Sequence, residues 1–403
     1  MKTSHSLIKL TSVASLVAMT FAPSVQAAEW FDALSKLKAS INMNLRYESV
    51  SQDNSLQDAD ALTLRTFVGI ESGEYKGFSF NFEAEDSRIV LGQGDYTVGP
   101  TGYNVGEYSV IADPETTELD QAYVQYRGSD YTVKVGRQVI TLDSHRFVGH
   151  VGWRQDRQTF DAVSVNYKIN DKLNAFYAYI DQRNRIFAEA ADLDAKDHLL
   201  NLSYSTDYGK LTGYAYLLEV DNNTDNALDT YGIRYSGAYK ADFGKLLYTA
   251  EFAQQSSETA AADFDASYLF LEGGVALSFV TLKLGYEVLG SDDGNFGFST
   301  PLATLHKFNG WSDQFLATPT QGLKDLSATV SGKLAGGKWT AVYHKFDADE
   351  SSSTVDDLGS EINLVYTTKV AEHFNVGIKY ANYSAGDIKV DTDKLWVWVS
   401  TKF

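Results

Sequence analysis

Between Gly136 and Asp161 the chain reads GRQVITLDSHRFVGHVGWRQDRQTFD, and four of its eleven arginines fall there: Arg137, Arg146, Arg154 and Arg157. His145, His150 and Trp153 share the stretch. A guanidinium is a permanently charged, planar fork of donors, so arginines at this density suit carboxylates and sugar hydroxyls. Ser144 and His145 beside Asp143, with Asp161 further on, invite comparison with a hydrolytic set. Adjacent Ser and His side chains rarely reach one another productively, however, and no nucleophile-elbow glycine pattern surrounds them, so no enzymatic activity is expected. His145 and His150 have no third ligand in register, and no acidic cluster has the spacing of a calcium loop, so neither metal nor cofactor is expected.

Composition narrows the classes further. The chain has 403 residues, no Cys and a formal charge of -19. Disulfide and thiolate chemistry are thereby excluded, and the acidic balance argues against nucleic acid, which needs a basic surface. Tyr (25) and Phe (22) are plentiful while Pro (5) is scarce. That mixture suits strands with one apolar and one wet face.

The arginine stretch is too long and irregular for a strand, so other elements must hold it. Residues 1–27 read as a signal peptide: Lys2 and Lys9 begin it, Leu10 to Phe21 form its apolar run, and Val25-Gln26-Ala27 forms the cleavage site. Beyond it no apolar run is long enough for a transmembrane helix. The dominant period from Lys38 onward is two. Ile41, Met43, Leu45 and Tyr47 alternate with Asn42, Asn44, Arg46 and Glu48, and similar alternation recurs to Phe403. About eighteen such segments can be placed.

Their connections alternate as well. Short turns such as Ser72-Gly73-Glu74 and Gly128-Ser129-Asp130 follow the even-numbered strands, and long polar loops follow the odd-numbered ones. The fold class expected is therefore all-β: a transmembrane antiparallel barrel with short periplasmic turns and long extracellular loops. Residues 28–403 would form this single domain, with loop 137–160 folded inward and a second long loop at 290–323. A barrel of this width leaves a lumen that its own side chains cannot fill. Parity aims Arg46, Arg65, Arg234, Lys283 and Lys379 into that lumen, because charge facing lipid costs about 2–4 kcal/mol at the midplane. The acids Glu48, Glu71, Glu83, Glu251, Glu287 and Glu361 share that face, as do Trp396 and Trp398.

Several motifs carry a family resemblance. Gly136-Arg137-Gln138, His145-Arg146-Phe147-Val148-Gly149, Gly152-Trp153-Arg154-Gln155 and Gln158-Thr159-Phe160-Asp161 resemble the signature of the alginate-export family of outer-membrane porins. The stretch from Thr300 to Trp311, with Asp313, Phe315 and Pro319 to Leu326, is also similar to that family. The resemblance implies an eighteen-stranded monomeric barrel with an arginine-lined constriction for an acidic polysaccharide, in or beside which Arg137, Arg146, Arg154 and Arg157 would lie.

The expectation is a passive porin of the Gram-negative outer membrane for anionic, carbohydrate-derived solutes. Its pore lining would comprise Arg46, Arg65, Arg137, Arg146, Trp153, Arg154, Arg157, Arg234, Lys283 and Lys379. Expected partners are outer-membrane lipid, lipopolysaccharide, an anionic saccharide or small anionic solute, and the barrel-assembly machinery acting on the terminal Phe403. An adhesin or structural barrel, and an outer-membrane hydrolase, are the alternatives.

Overall fold

A computed structural model describes residues 33–98 and 102–403. The expected leader, 1–27, lies outside the described residues. Eighteen strands form one closed antiparallel sheet. The first nine are β1 (Lys38–Gln52), β2 (Ala59–Glu71), β3 (Phe78–Asp95), β4 (Thr116–Arg127), β5 (Tyr131–Gln138), β6 (Thr159–Lys168), β7 (Leu173–Asn184), β8 (Leu193–Ser205) and β9 (Lys210–Glu219). There follow β10 (Ala227–Ala241), β11 (Gly244–Glu258), β12 (Asp263–Ala276) and β13 (Val280–Leu289). A small hairpin, β14 (Ser291–Asp292) and β15 (Phe296–Gly297), stands apart from the barrel. The wall is completed by β16 (Leu323–Leu334), β17 (Gly337–Asp347), β18 (Asp357–Val370), β19 (Phe374–Ser384) and β20 (Thr392–Lys402). Closure is made by β1 against β20, from Asn42 opposite Lys402 to Gln52 opposite Thr392.

The period of two explains the wall. Ile41, Val68, Val124, Leu200, Ile233, Leu284 and Ile362 point outward and are exposed, forming a band that only lipid would cover. Their neighbours Asn44, Arg46, Glu48, Thr63 and Glu361 are buried inside. Short turns join strands at one end and longer loops at the other, notably 96–115, 139–158 and 290–322. By the usual rule the short-turn end is periplasmic.

Strands extend further toward the long-loop end than the alternation indicates. β3 runs to Asp95, past the end of its apolar alternation, because above the bilayer both faces of a strand are wet and the alternation no longer marks it. The inward loop spans 139–158 rather than 137–160, which corrects the position of Arg137: it lies on β5, paired with Asp161 of β6. Likewise the second long loop ends at Gly322 and carries the β14–β15 hairpin. The main buried apolar cluster contains Val148, Leu302, Phe298 and Phe315 from these loops packed on inward residues of the wall such as Tyr214, Tyr268 and Phe346.

Candidate functional site

The two long loops meet inside the lumen and bind each other as well as the wall. Val148 and Leu302 form a parallel bridge, with Gly149 N–H donating to the Leu302 carbonyl at 2.8 Å and Thr304 N–H to the His145 carbonyl at 3.0 Å. Gln158 Nε2 donates to both the Gly149 and Leu302 carbonyls. At the crossing a side chain on Gly149 would overlap the Thr304 hydroxyl, so only glycine lets the loops approach this closely. A second requirement sits at Gly310, whose φ of 86° and contact with the Glu361 carboxylate both demand glycine. That carboxylate, on β18, accepts the Trp311 and Ser312 N–H groups and the Ser312 hydroxyl.

On the side of the closing seam the loops are held by charge. Arg154 Nη1 donates to both oxygens of Glu48 on β1, at 3.1 and 3.0 Å, and Nη2 donates to Asp313 Oδ2 at 2.7 Å. Asp313 also accepts from Lys394 of β20 at 2.9 Å. Arg46, on β1, reaches Asp113 of the 96–115 loop and the Trp153 carbonyl. Gln155 closes the set: its N–H donates to Asp113 Oδ1, and its amide bonds Asn44 and Thr63 on β1 and β2. Three loops thus meet on one strip of wall. Arg46, Arg154, Lys394, Glu48, Asp113 and Asp313 each have an opposite partner here, which is the condition for burial to be tolerated.

Trp153 is the apolar centre of this strip. It stacks on His306 at 5.2 Å and meets Trp396 and Trp398 edge-on at 5.9 and 5.3 Å. Those two tryptophans face the lumen because a loop aromatic covers them. Lys379 Nζ lies 4.2 Å from the Trp153 ring centre and 2.6 Å from His306 Nε2. With Nε2 accepting from the ammonium, His306 Nδ1 donates to Asp313 at 2.6 Å, the arrangement of a neutral imidazole. Burial is the main cause that brings the His306 pKa down to about 3. Burial, then Arg157, likewise lowers His150 to about 4.

Across the lumen the contacts are aromatic. Phe147 packs on Tyr214 and Tyr268 at 5.2 Å each, and on Phe298 at 5.9 Å. Behind it Arg146 donates to Glu287 of β13 at 2.7 Å and to Asn309 at 3.1 Å. Asn309 in turn donates to Glu287 and to Asp325 on β16.

The residues singled out from sequence all lie on the lumen side, in four settings. Arg46, Trp153, Arg154 and Lys379 belong to the seam network, and Arg146 to the Glu287 node. Arg65 and Arg157 lie side by side over the Phe67 ring, Arg65 donating to the Arg154 carbonyl at 3.0 Å and Arg157 binding Asp120 and Glu83. Arg137, Arg234 and Lys283 stay flat on the wall, paired with Asp161, Glu251 and Glu272. Arg46, Arg137, Arg146, Arg154, Arg157, Arg234 and Lys283 are each paired with a carboxylate, which lowers the cost of charge in a confined lumen, whereas Arg65 donates to loop carbonyls and Lys379 to His306. Asp113, Asp120, Lys394 and Gln155 were not foreseen as partners. Asp113, Asp120 and Lys394 lie far in sequence from the residues they bind, and Gln155, although next to Arg154, binds Asn44 and Thr63 of distant strands, so no local signal marks the pairings.

Ser144 and His145 do not assemble a hydrolytic set. Asp143 is bound by Lys210, Asn201 and Thr212, and Asp161 by Arg137 and Asn184. The His145 ring instead meets that of His150 at 5.4 Å.

Comparison with known proteins adds family and fold. The alginate export family model matches residues 36–290. No curated protein matches the chain by sequence. Among solved structures, Pseudomonas aeruginosa OpdK with vanillate is similar with a TM-score of 0.73 at 11% identity, over 92% of this chain and 99% of that one. OccK9 (OpdG) of the same organism gives 0.72 at 12%, over 92% and 99%. Acinetobacter baumannii OccAB1 gives 0.70 at 14%, over 92% and 97%. At such identities the likeness carries the barrel fold, and the family model carries the relationship. The chain belongs to the alginate-export family and is a porin-type barrel of the bacterial outer membrane.

Proposed function

We propose that the protein passes anionic, carbohydrate-derived solutes by passive diffusion, with lumen arginines and lysines acting as successive exchange sites at the constriction made by loops 139–158 and 298–322. The observation that carries this reading is that the arginines already hold carboxylates. Arg137 grips Asp161 through two bonds of 2.7 and 3.1 Å, and Arg154 and Arg157 each hold two acids. A solute carboxylate is chemically the same partner and can replace an internal one. The resident acids keep the field weak, so an anion that enters can also leave. Arg137 and Arg157, with 16% and 17% of their side chains exposed, are the more accessible of these sites and the deep seam arginine Arg154 the less so.

Lipid and lipopolysaccharide surround the apolar band. Phe403 is tied into the seam, exchanging backbone hydrogen bonds with Ile41, and its exposed ring is the handle we assign to the assembly machinery.

Planar-bilayer recordings test the proposal. The expected result is an open channel preferring anions, with the preference reduced by Arg137→Ala and Arg157→Ala. A cation preference untouched by those changes would overturn it. Absence of any conductance would favour a plugged structural or adhesive barrel, the reading that the buried loop crossing otherwise supports.

A further inference from the structure

A recess in the lumen lies away from the buried arginines, at the root of the 139–158 loop near the short-turn end. We propose that it binds a hydroxyl-rich ring bearing one carboxylate, and that solute meets it on the periplasmic side of the loop crossing. The inference rests on the channel reading above.

The recess has a volume of about 370 Å³, within the range of small-molecule sites and enough for a single ring. Its walls are the inward faces of β5 to β9, and its roof is the loop segment 139–143. The roof is fixed. Ile140 is buried in the main apolar cluster with Leu142 packed against it, and Asp143 takes Lys210 Nζ at 2.7 Å and Asn201 Nδ2 at 2.8 Å. Solute therefore meets a formed cavity.

Its chemistry differs from that of the seam. Asn166, Asn174 and Ser203 line it, and among the described residues none of their side chains has a protein hydrogen-bond partner. Amides and hydroxyls both donate and accept, as the hydroxyls of a sugar require. Phe176 supplies the one aromatic surface, suited to the C–H face of a ring. Two lysines border the space, but only one is available. Lys210 is committed to Asp143, whereas Lys134 rests 4.5 Å from the Tyr123 ring centre and, among the described residues, has no carboxylate within ion-pair distance. Neutral hydrogen-bonding groups around a single uncompensated ammonium fit a polyhydroxylated solute with a single acid group better than a polyanion or an apolar molecule.

Titration calorimetry of the purified full chain in detergent, with glucuronate, glucose and acetate as probes, tests this without requiring conductance. Glucuronate should bind most tightly. Lys134→Met should weaken it by about tenfold, to the level of glucose, and Lys134→Arg should restore it. The Asn166→Ala/Asn174→Ala variant should weaken glucuronate and glucose alike. Each variant should keep the heat-dependent gel mobility of a folded barrel. Equal binding of acetate and glucuronate, or indifference to both sets of substitutions, would overturn the proposal. Recess-dependent binding by a protein that does not conduct would sink only the channel reading; anion conductance with binding blind to these residues would sink only this one.

Discussion

The seam side of the lumen, where β1, β19 and β20 meet, and the opposite side, formed by β9 and β12, hold the same two loops by different means. At the seam Arg46, Arg154 and Lys394 interlock with Glu48, Asp113 and Asp313 around Trp153. Opposite, Phe147 is wedged among Tyr214, Tyr268 and Phe298, with one buried ion pair, Arg146 with Glu287, behind it. Buried ion pairs are directional and fail sharply when a partner is lost, since the remaining charge stays desolvated. Aromatic contacts tolerate small displacements and lose energy in proportion to the area uncovered. Position is therefore specified at the seam, and attachment is supplied by both sides.

The contrast can be broken from either end. Arg154→Ala should have the largest effect, about 3–5 kcal/mol, because it leaves Glu48 with only the longer 3.4 Å contact to Arg46 and weakens the hold on Asp313. Limited proteolysis should then cut within 139–158 and 298–322 while the barrel itself remains intact. Phe147→Ala should cost less, about 2 kcal/mol by lost apolar burial, and should loosen the loops without changing ion selectivity. The double variant sharpens the comparison, since the two costs should add to within about 0.5 kcal/mol if the sides act independently.

The smallest effect is of pH. His150 has its folded pKa lowered to about 4 from 6.5, so its contribution to stability is complete above pH 6.5 and is lost as pH falls toward 4. Near pH 6 the loss should be less than about 1 kcal/mol, His150 being only partly shielded from solvent. A thermal-unfolding series should show it in the parent protein and not in His150→Gln.

Much of the wall was legible in the sequence because a membrane strand writes its orientation into a period of two. Ile41, Arg46 and Glu48 reveal their faces without reference to anything distant. Arg137 was misplaced in the loop because β5 continues past Gly136 with Arg137 and Gln138 both on the strand, where no outward apolar residue marks its last turn of the alternation. Trp396 and Trp398 were visible as an anomaly on the wet face, and Trp153 is its explanation. The ion pairs were not legible. A cluster of like residues announces that charge is present, but its neutralisation by Asp113, Glu48 and Asp313 is decided by which loops cross, and nothing local encodes that.

The seam network also bears on how the molecule is made. Arg154 finds Glu48 106 residues earlier and Asp313 159 residues later, and Lys394 joins them from the last strand. Contacts of such separation form late, after the chain entropy between them has been surrendered. Until β20 meets β1 there is no complete surface for the loop crossing to lock onto. The nascent protein should therefore pass through an unplugged stage in which the wall is closed and the interior is still wide. The loops then act as a check on assembly: they seat fully only in a barrel whose first and last strands have found each other in register.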